Sequence, residues 1–387
     1  MNKILFTTDY KNYKSEWPRS SRPSARAIIL MQGNPIEDGF KIGSDKILNP
    51  EDKIALVYAK KIGYYKFPGG GINEGENNIE ALLREVGEET GLEVIKDSVK
   101  EYGVAKRIME SGLFKETIFI QDSLHYFCHV RMNENGTPYI NPQHLDGYEK
   151  DEGFELKVVS IREAIQTNVN FKSDDEKKLD MIARENLVMT KMSGMPELLP
   201  RAYAESLLER AAAKNPGPWR EHSYAVARAA EKIARATKNL NPDFAYVAGL
   251  LHDIGRQEGY TYIAHVYDGY HYLKNLGFSY LPRICLTHSF NLKTVDDYIG
   301  KIDITAEQLE ELSSLLAATE YDDYDRLIQL LDSTCGADGT QNLERRMTDV
   351  KERYGYYPQG KWDKNFELKA YFENLTGRDF YELLSES

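Results

Sequence analysis

Two groups of side chains in this sequence have the types and the spacing that metal binding requires. The first lies in the run Arg84–Glu89, whose letters are REVGEE. On a helix, Glu88 and Glu89 fall three and four residues after Glu85, so the three carboxylates share one face. Like charges at this spacing repel one another, whereas a hard cation such as Mg²⁺ takes carboxylates and substrate phosphates as ligands. Taken alone, the three glutamates also fit an ordinary solvated acidic face.

The residues around these glutamates favour the metal site over the acidic face. Gly70 and Glu76 precede the run, and Gly91 follows it where a glycine would end a helix. The stretch 70–92, GGINEGENNIEALLREVGEETGL, resembles the Nudix box at every fixed position. The loop Pro68-Gly69-Gly70-Gly71 extends the resemblance to Nudix hydrolases.

The Nudix resemblance implies both a fold and a metal site. The fold is an α/β/α sandwich built around one catalytic helix. The metal is Mg²⁺ or Mn²⁺, and its implied ligands are Glu85, Glu88, Glu89 and the backbone carbonyl of Gly70. Arg84 is expected to hold a box glutamate in place through a charge-assisted bond. A box glutamate such as Glu88 would serve as the general base.

A carboxylate outside the box is the second candidate for the general base. Nudix enzymes often supply an extra glutamate from a loop just before a late strand. Glu152, which precedes the predicted strand 155–159, matches that position best, and Glu149 is the competing candidate. Either residue could also be one more loop acid without a catalytic role.

The second group consists of histidines and aspartates in the C-terminal half. Five of the eight histidines lie between residues 222 and 288. Within that window, His252-Asp253 follows an apolar run and precedes Ile254-Gly255. Imidazole and carboxylate are ligands for Mn, Fe, Co, Ni or Zn ions. A single helical histidine is more often a core residue, but a His-Asp pair in this setting favours metal ligands.

The pattern of His222, His252-Asp253 and Asp332 resembles the HD superfamily of phosphohydrolases. This resemblance implies a helical bundle that holds one or two divalent ions such as Mn²⁺, Fe²⁺, Co²⁺, Ni²⁺ or Mg²⁺. The four residues are the implied metal ligands. Asp253 is also the predicted catalytic residue of this half, because a carboxylate can bridge two ions.

Three further residues extend this predicted site. His265 and His288 fit the branch of the superfamily that binds two ions as additional metal ligands, so the number of ions stays open between one and two. Arg256 lies four residues after His252 and could bind a substrate phosphate. A plain surface arginine fits that position equally well.

The elements that position these residues predict two domains, with a fold class of α/β followed by all-α. A polar N-terminal extension at residues 1–21 precedes the Nudix domain, which spans 22–190. Residues 191–200 lose hydrophobic periodicity, contain glycine and proline, and form the predicted linker. The HD domain, with mostly helical periodicity, spans 201–387.

Composition narrows the function classes. Lys and Arg total 49 against 61 Asp and Glu, and the net charge of −12 argues against duplex nucleic acid as a partner. The three cysteines form no CxxC pattern, as expected in a reducing cytoplasm. The sequence has no basic-then-apolar leader and no apolar run of about twenty residues, so neither secretion nor a membrane partner is expected.

Together these features predict a bifunctional, metal-dependent hydrolase of small nucleotides. The Nudix domain would cleave a pyrophosphate bond in a nucleoside diphosphate linked to another group, or in a nucleoside triphosphate. The HD domain would hydrolyse a phosphate ester of that product or of a related nucleotide. Two alternatives stay open: a hydrolase of dinucleoside polyphosphates or alarmones, and a nucleotide sensor in which only the HD domain is catalytic. Both families frequently form dimers, so a homodimer is one expected assembly.

Overall fold

A mixed β-sheet forms the centre of the N-terminal half. The computed structural model describes residues 3–31 and 47–385, and nine strands in this part of the chain form one sheet. The strands are β1 (Ile4–Asp9), β2 (Arg19–Ser21), β3 (Ser24–Leu30), β4 (Lys53–Ala59), β5 (Tyr64–Lys66), β6 (Gly69–Gly71), β7 (Lys100–Glu110), β8 (Ile118–Cys128) and β9 (Phe154–Ser160). Their order is β1-β7-β8-β3-β4-β5, with β2 paired to β8, β6 to β3 and β9 to β4. The sheet is mixed because the pairs β1–β7, β2–β8 and β3–β8 are parallel and the others antiparallel.

Helices accompany this sheet, and the first of them carries the box glutamates. The helices are α1 (Asn78–Thr90), α2 (Gly147–Glu152), α3 (Ile161–Val169) and α4 (Glu176–Ser193). Helix α1 begins at a capping box, in which the side chain of Asn77 accepts from the backbone N–H of Glu80 and the Glu80 side chain accepts in return. It ends at Gly91, whose φ of 72° is the left-handed conformation that glycine adopts readily.

The alternation of side chains along β3 explains where α1 packs. Ala25, Ala27 and Ile29 point to one face of the sheet, because successive strand residues point to opposite faces. They join Leu82 and Val86 of α1 in one buried apolar cluster. This packing presents the glutamates of α1 beside the glycine-rich strand β6, which pairs with β3.

The C-terminal half is helical, with one small hairpin. Its helices are α5 (Arg201–Lys214), α6 (Trp219–Ala236), α7 (Pro242–Leu251), α8 (Ala264–Asn275), α9 (Leu281–Thr287), α10 (Ala306–Ala318), α11 (Asp323–Asp332), α12 (Leu343–Tyr354), α13 (Gln359–Thr376) and α14 (Phe380–Ser385). Strands β10 (Cys335–Gly336) and β11 (Gly339–Thr340) form an antiparallel hairpin. Short 3₁₀ turns lie at Ile254–Glu258 and Val295–Asp297 in this half, and another lies at Lys96–Ser98 in the N-terminal half.

The predicted fold class, α/β followed by an all-α region, is confirmed. The chain divides into two compact units: the first extends to Pro200 and includes Asn275–Gly277, and the second comprises the rest from Arg201. Residues 1–21, predicted as an extension outside the Nudix domain, differ from expectation because they contribute β1 and β2 to the sheet. Strand β1 has only a short apolar run, Ile4–Phe6, and β2 has three polar residues, so side-chain periodicity gave no clear sign of either strand. Both pair through backbone hydrogen bonds with strands far along the chain.

Membrane-spanning helices were not expected from the sequence. In residues 3–31 and 47–385, no helix combines the length and the apolar character that crossing a membrane requires.

Candidate active sites

Glu89, the last glutamate of the box, has both carboxylate oxygens bound by protein donors. Its Oε1 lies 2.5 Å from Nζ of Lys66 in β5, and its Oε2 accepts the backbone N–H of Gly69 at 2.9 Å. Both side chains are buried, with 1% of Glu89 and 4% of Lys66 exposed. A buried ion pair is stable only when geometry and further hydrogen bonds offset the loss of hydration. Glu89 therefore ties α1 to the glycine-rich strand β6.

Arg84 gathers the other acids of the box around one guanidinium. It donates to both carboxylate oxygens of Glu76 at 2.8 and 2.9 Å, to Glu85 at 2.7 Å and to Glu88 at 3.0 Å. A further hydrogen bond, at 3.0 Å, reaches the backbone carbonyl of Gly71. The bond from Arg84 lowers the pKa of Glu76 to about 2, which keeps that carboxylate ionised at neutral pH. Arg84 thus lies where its predicted holding role needs it.

Gly70 lies directly against the carboxylate of Glu85. A Cβ atom added to Gly70 would lie 2.3 Å from Oε2 of Glu85, a distance that real Cβ atoms essentially never show. Only glycine therefore lets this carboxylate approach the backbone so closely. The backbone of Gly70 and the side chain of Glu85, two predicted ligands, are neighbours.

The three box carboxylates do not meet at a single point. In the part of the chain that the structure describes, groups of three or more His, Cys, Asp or Glu donor atoms within 4.8 Å of one another occur only in the second unit. Glu85 and Glu88 are turned to Arg84, and Glu89 to Lys66. The donor set still fits a hard divalent cation, because carboxylates are oxygen ligands and 41% of the Glu88 side chain is open to solvent.

The two loop candidates for the general base have different surroundings. Glu152 accepts a hydrogen bond from Tyr64 at 2.5 Å and pairs with Nζ of Lys178 at 2.5 Å, so both of its oxygens have partners. Glu149 is buried, and burial together with the charge of nearby Glu89 raises its pKa. The structure thus directs Glu152 to Tyr64 and Lys178, and it places the competing candidate, Glu149, beside the box.

The six predicted ligands of the C-terminal half come together in the second unit as two groups of three. We call them the histidine–aspartate cluster, and its members are His222, His252, Asp253, His265, His288 and Asp332. In the first group, Nε2 of His222 lies 3.0 Å and Nε2 of His252 lies 3.6 Å from Oδ1 of Asp332. His222 belongs to α6, His252 directly follows α7, and Asp332 is the last residue of α11.

Asp253 is the centre of the second group. Its Oδ1 lies 3.1 Å from Nε2 of His265 in α8 and 3.5 Å from Nε2 of His288, which directly follows α9. Its Oδ2 lies 3.9 Å from Nε2 of His252, a member of the first group. Asp253 therefore stands between the two groups, where a bridging carboxylate would.

Backbone carbonyls fix the orientation of three imidazoles. Nδ1 of His252 lies 2.7 Å from the carbonyl of Gly249, and Nδ1 of His288 lies 2.7 Å from that of Cys285. Nδ1 of His265 contacts the carbonyl of Tyr262 in the same way. Since a carbonyl only accepts hydrogen bonds, each Nδ1 carries the proton when the ring is neutral. Each Nε2 then turns a lone pair to the cluster, the arrangement typical of metal-binding histidines.

Two buried atoms at the centre of the cluster have no hydrogen-bond partner. They are Nε2 of His252 and Oδ1 of Asp253. Leaving a buried polar atom unpaired costs about 1–3 kcal/mol, so native structures rarely retain one without a reason. Burial acts to raise the pKa of Asp253, but the charge of Arg256, the largest of the opposing effects, holds it well below its usual value. An ionised carboxylate beside free imidazole nitrogens fits a divalent transition-metal ion.

The two arginines near the cluster differ in their partners. Nε of Arg256 donates to Oδ2 of Asp253 at 2.6 Å, and its Nη2 lies 3.4 Å from Nε2 of His265. Arg256 thus contacts two predicted ligands, while 30% of its side chain is exposed. Arg283 instead pairs with Asp322 at 2.6 Å and Asp325 at 2.8 Å, neither of which belongs to the cluster.

One residue of the first site was not predicted from the sequence. Lys66 supplies the charge that pairs with Glu89, yet it lies 23 positions before that glutamate. Its only sequence signal is a lysine inside the aromatic run Tyr64-Tyr65-Lys66-Phe67. A charged residue in a strand that otherwise reads as buried indicates a buried partner.

Comparison with known families finds a match in each half of the chain. Residues 46–180 match the family model described as NUDIX domain, and residues 219–336 match the one described as HD domain. Among curated relatives, an RNA pyrophosphohydrolase of Psychrobacter sp. (strain PRwf-1) is 41% identical over 113 residues, which cover 27% of this chain and 62% of that protein.

Two other relatives are each 33% identical to this chain over shorter shares of their own length. A U8 snoRNA-decapping enzyme of Homalodisca vitripennis is 33% identical over 104 residues, covering 26% of this chain and 51% of that protein. The uncharacterized Nudix hydrolase YvcI of Bacillus subtilis (strain 168) is 33% identical over 66 residues, covering 17% of this chain and 40% of that protein. The chain therefore spans between 40% and 62% of the length of these three relatives.

Proposed function

Since this chain joins a NUDIX domain to an HD domain, we propose that it is a nucleotide hydrolase with two metal-dependent active sites. The single observation that carries the proposal is the convergence of six histidine and aspartate side chains in the second unit. The pairing of the box glutamates with the glycine-rich strand β6 supports a second, separate site in the first unit. Divalent ions bound at these groups would neutralise phosphate charge and lower the pKa of an attacking water.

In the first site, the side chains divide into holding and proton-transfer roles. Arg84 and Lys66 hold the box carboxylates in fixed positions, and Gly70 leaves room for Glu85. We assign the general base to Glu88, the most exposed of the three box glutamates, whose oxygens can accept the proton of a water molecule. Glu149 is the second candidate, because burial and the charge of Glu89 raise its pKa, whereas Lys178 pairs with Glu152. One oxygen of Glu149 accepts the backbone N–H of Asp146 at 2.7 Å.

In the second site, the histidine–aspartate cluster would hold two ions, one for each group of three ligands. Asp253 would serve both ions, because its two oxygens face different groups. Arg256 keeps Asp253 ionised, and the N–H groups of its guanidinium that Asp253 does not use are available to a substrate phosphate. Mn²⁺, Fe²⁺, Co²⁺ and Ni²⁺ suit this mixture of imidazole and carboxylate ligands.

The two sites suggest two successive reactions on one nucleotide. The first unit would cleave a pyrophosphate bond in a nucleoside diphosphate linked to another group, or in a nucleoside triphosphate, and would leave a nucleoside monophosphate. The second unit would then hydrolyse a phosphate ester of that product or of a related nucleotide. The net charge of −12 favours small nucleotides, whose phosphates are neutralised locally, over duplex nucleic acid.

A second candidate reaction involves the 5′ end of RNA. Two of the relatives are named as an RNA pyrophosphohydrolase and as a snoRNA-decapping enzyme. An RNA terminus with a 5′-triphosphate contains the same kind of pyrophosphate bond as a free nucleoside triphosphate, so the first site could act on either. RNA bearing a 5′-triphosphate therefore belongs among the substrates to be tested.

Separate variants of the two sites test this proposal. Purified full-length protein would be incubated with Mg²⁺ or Mn²⁺ and a panel of nucleotides, with products resolved by ion-exchange chromatography. We expect Glu88→Gln to stop pyrophosphate cleavage and Asp253→Asn to stop ester hydrolysis, each without affecting the other bond. Unchanged ester hydrolysis in the Asp253 variant would contradict the assignment. If the product of one site accumulates to the same extent whether or not the other site is blocked, the two reactions are not successive.

A further inference from the structure

The chain beyond the HD match contacts a segment next to the histidine–aspartate cluster. The match ends at residue 336, whereas α12, α13 and α14 follow it. Lys361, at the start of α13, reaches the residue that follows His288, and Tyr357, just before α13, is bonded to Asn365 on the same helix. Neither residue was singled out by any motif in the sequence.

Lys361 holds the segment that contains His288. Its Nζ donates to the backbone carbonyl of Ser289, the residue directly after His288, and to that of Asp297 at 3.3 Å. Only 7% of Lys361 is exposed. The carboxylates of Asp297 and Asp332 attract its ammonium group and act against the effect of burial, which lowers its pKa. The ammonium is thus in the interior, close to both the segment and the cluster.

Tyr357 supports a second link between α13 and the segment that contains His288. Its hydroxyl accepts a hydrogen bond from the side-chain amide of Asn365, on α13, at 3.1 Å. Asn365 in turn accepts from Nδ2 of Asn291, which lies three residues after His288. Helix α13 is therefore bonded at two points to the chain that follows His288.

A lysine is an unfavourable residue for merely filling this space. Removing an ammonium ion from water costs several kcal/mol even after the protein relaxes, whereas a methionine would occupy a similar volume without that cost. Hydrogen bonds from a buried cation to carbonyls are strong and directional, so they fix the backbone more firmly than apolar packing does. A buried lysine bonded to a carbonyl next to a ligand therefore indicates a positioning role.

We propose that Lys361 and Tyr357 are positioning residues of the metal centre in the HD domain. Lys361 fixes His288 through the carbonyl of Ser289, and Tyr357 supports the same segment through Asn365 and Asn291. Helix α13 thus holds a ligand of the second group in place. This inference rests on the proposed function of the cluster as a metal site. The chain after residue 336 is then part of the active site.

Metal affinity, measured apart from catalysis, tests this role. The parent protein would be the full chain with Glu85→Gln and Glu88→Gln, so that Mn²⁺ binding reports chiefly on the cluster. Free Mn²⁺ would be followed by electron paramagnetic resonance during titration, together with the spin-coupled signal of a paired site. Removing partners that orient metal ligands typically weakens metal affinity about 10–100-fold. We expect Lys361→Met to raise the dissociation constant for Mn²⁺ by about that factor and to weaken the spin-coupled signal.

Three further variants separate positioning from folding. Lys361→Arg keeps a cationic donor and should recover part of the affinity, which a residue that only fills space would not do. Tyr357→Phe removes a single hydroxyl and should weaken binding about tenfold, the lower end of the range for such partners, even if the lysine variant fails to fold. Lys232→Met is the matched control, because Lys232 donates to the carbonyl of Leu384 at 2.9 Å and adjoins no ligand.

Each outcome has a distinct meaning. A dissociation constant that changes in Lys361→Met and Tyr357→Phe, but not in Lys232→Met, supports the positioning role. Parent-like Mn²⁺ affinity in both Lys361→Met and Tyr357→Phe would overturn it and leave the proposed metal site intact. Absence of Mn²⁺ binding by the parent protein would overturn the proposed function of the cluster itself.

Discussion

At the glutamate helix α1, Arg84 and Lys66 pair with all three box carboxylates, whereas at the histidine–aspartate cluster Arg256 pairs with Asp253 and imidazoles face Asp332. The first site therefore neutralises its acids with protein cations. The second leaves Nε2 of His252 and Oδ1 of Asp253 without hydrogen-bond partners.

This difference predicts unequal metal binding by the two sites. An ion entering the first site must share carboxylates that Arg84 and Lys66 already satisfy, so part of its attraction is offset. An ion entering the cluster meets imidazole lone pairs that have been oriented by backbone carbonyls, and it satisfies atoms that otherwise lack partners. We expect the cluster to bind divalent transition metals more tightly than the box.

The largest expected effect comes from removing the buried cation of the first site. Lys66→Met leaves the buried carboxylate of Glu89 without its counter-charge, and breaking a buried pair in this way costs about 3–5 kcal/mol. Urea unfolding in the absence of divalent ions measures this loss. Mg²⁺ should restore part of it, since an ion can replace the missing charge.

A surface lysine serves as the control for that variant. The side chain of Lys60 is 69% exposed and pairs with Glu155, so Lys60→Met should change the free energy of unfolding by about 0–1 kcal/mol. Equal unfolding midpoints for the Lys60 and Lys66 variants would show that the buried pair does not matter for stability.

The next largest effect should come from the carboxylate that faces both ligand groups. Asp253→Asn replaces an anionic ligand with a neutral one. Removing a residue that only supports a metal ligand lowers metal affinity about 10–100-fold. Removing the negative charge of the ligand Asp253 itself should therefore lower the Mn²⁺ affinity at least about a hundredfold. Isothermal titration with Mn²⁺ measures the dissociation constant of the cluster, and Glu88→Gln should leave that constant unchanged. A variant that retained parent affinity would remove Asp253 from the metal site.

Arg84 provides a smaller test within the box. The substitution Arg84→Lys keeps the positive charge, but a lysine cannot form the forked contacts that Arg84 makes to Glu76, Glu85 and Glu88. We expect the transition state of pyrophosphate cleavage to lose about 1.5–3 kcal/mol of stabilisation, the value of a hydrogen bond to a charged group. This loss would be measured as a lower kcat/KM. Ester hydrolysis by the second unit is the internal control, and an equal fall in both reactions would point to general unfolding instead.

A pair of glycine variants gives the smallest expected effect. Gly70→Ala forces the carboxylate of Glu85 away from the backbone and should destabilise the protein by about 1–3 kcal/mol, as overpacking does. Gly87 lies on the same helix as the glutamates with open space around its Cβ position, so Gly87→Ala should instead stabilise by about 0.5–1 kcal/mol. Thermal unfolding compares them, and a stabilised Gly70 variant would refute the close contact with Glu85.

Local spacing made much of both sites predictable. Glu85, Glu88 and Glu89 share a helix face because of their separation alone, and Gly91 ends that helix as expected. The histidine–aspartate cluster joins five helices: His252-Asp253, His288 and Asp332 follow apolar runs at helix ends, whereas His222 and His265 lie in the first turns of α6 and α8. The fold class followed from the same periodicities.

Contacts between distant elements were beyond prediction. Lys66 pairs with Glu89 only because the fold brings the last residue of β5 to the end of α1, and Lys361 reaches Ser289 across 72 positions of sequence. The choice between Glu149 and Glu152 also depended on tertiary structure, because Tyr64 and Lys178 occupy the oxygens of Glu152. Such pairings depend on how elements pack, which side-chain periodicity does not encode.

Anomalous diffraction from crystals grown with Mn²⁺ tests the central claim most directly. Two peaks are expected among the six side chains of the histidine–aspartate cluster, one beside each group of three ligands, with Asp253 contacting both. A weaker peak is expected beside Gly70 and the box glutamates. Crystals at saturating Mn²⁺ with no anomalous peak within bonding distance of His252 and Asp253 would contradict the assignment of a metal-dependent site to this half of the chain.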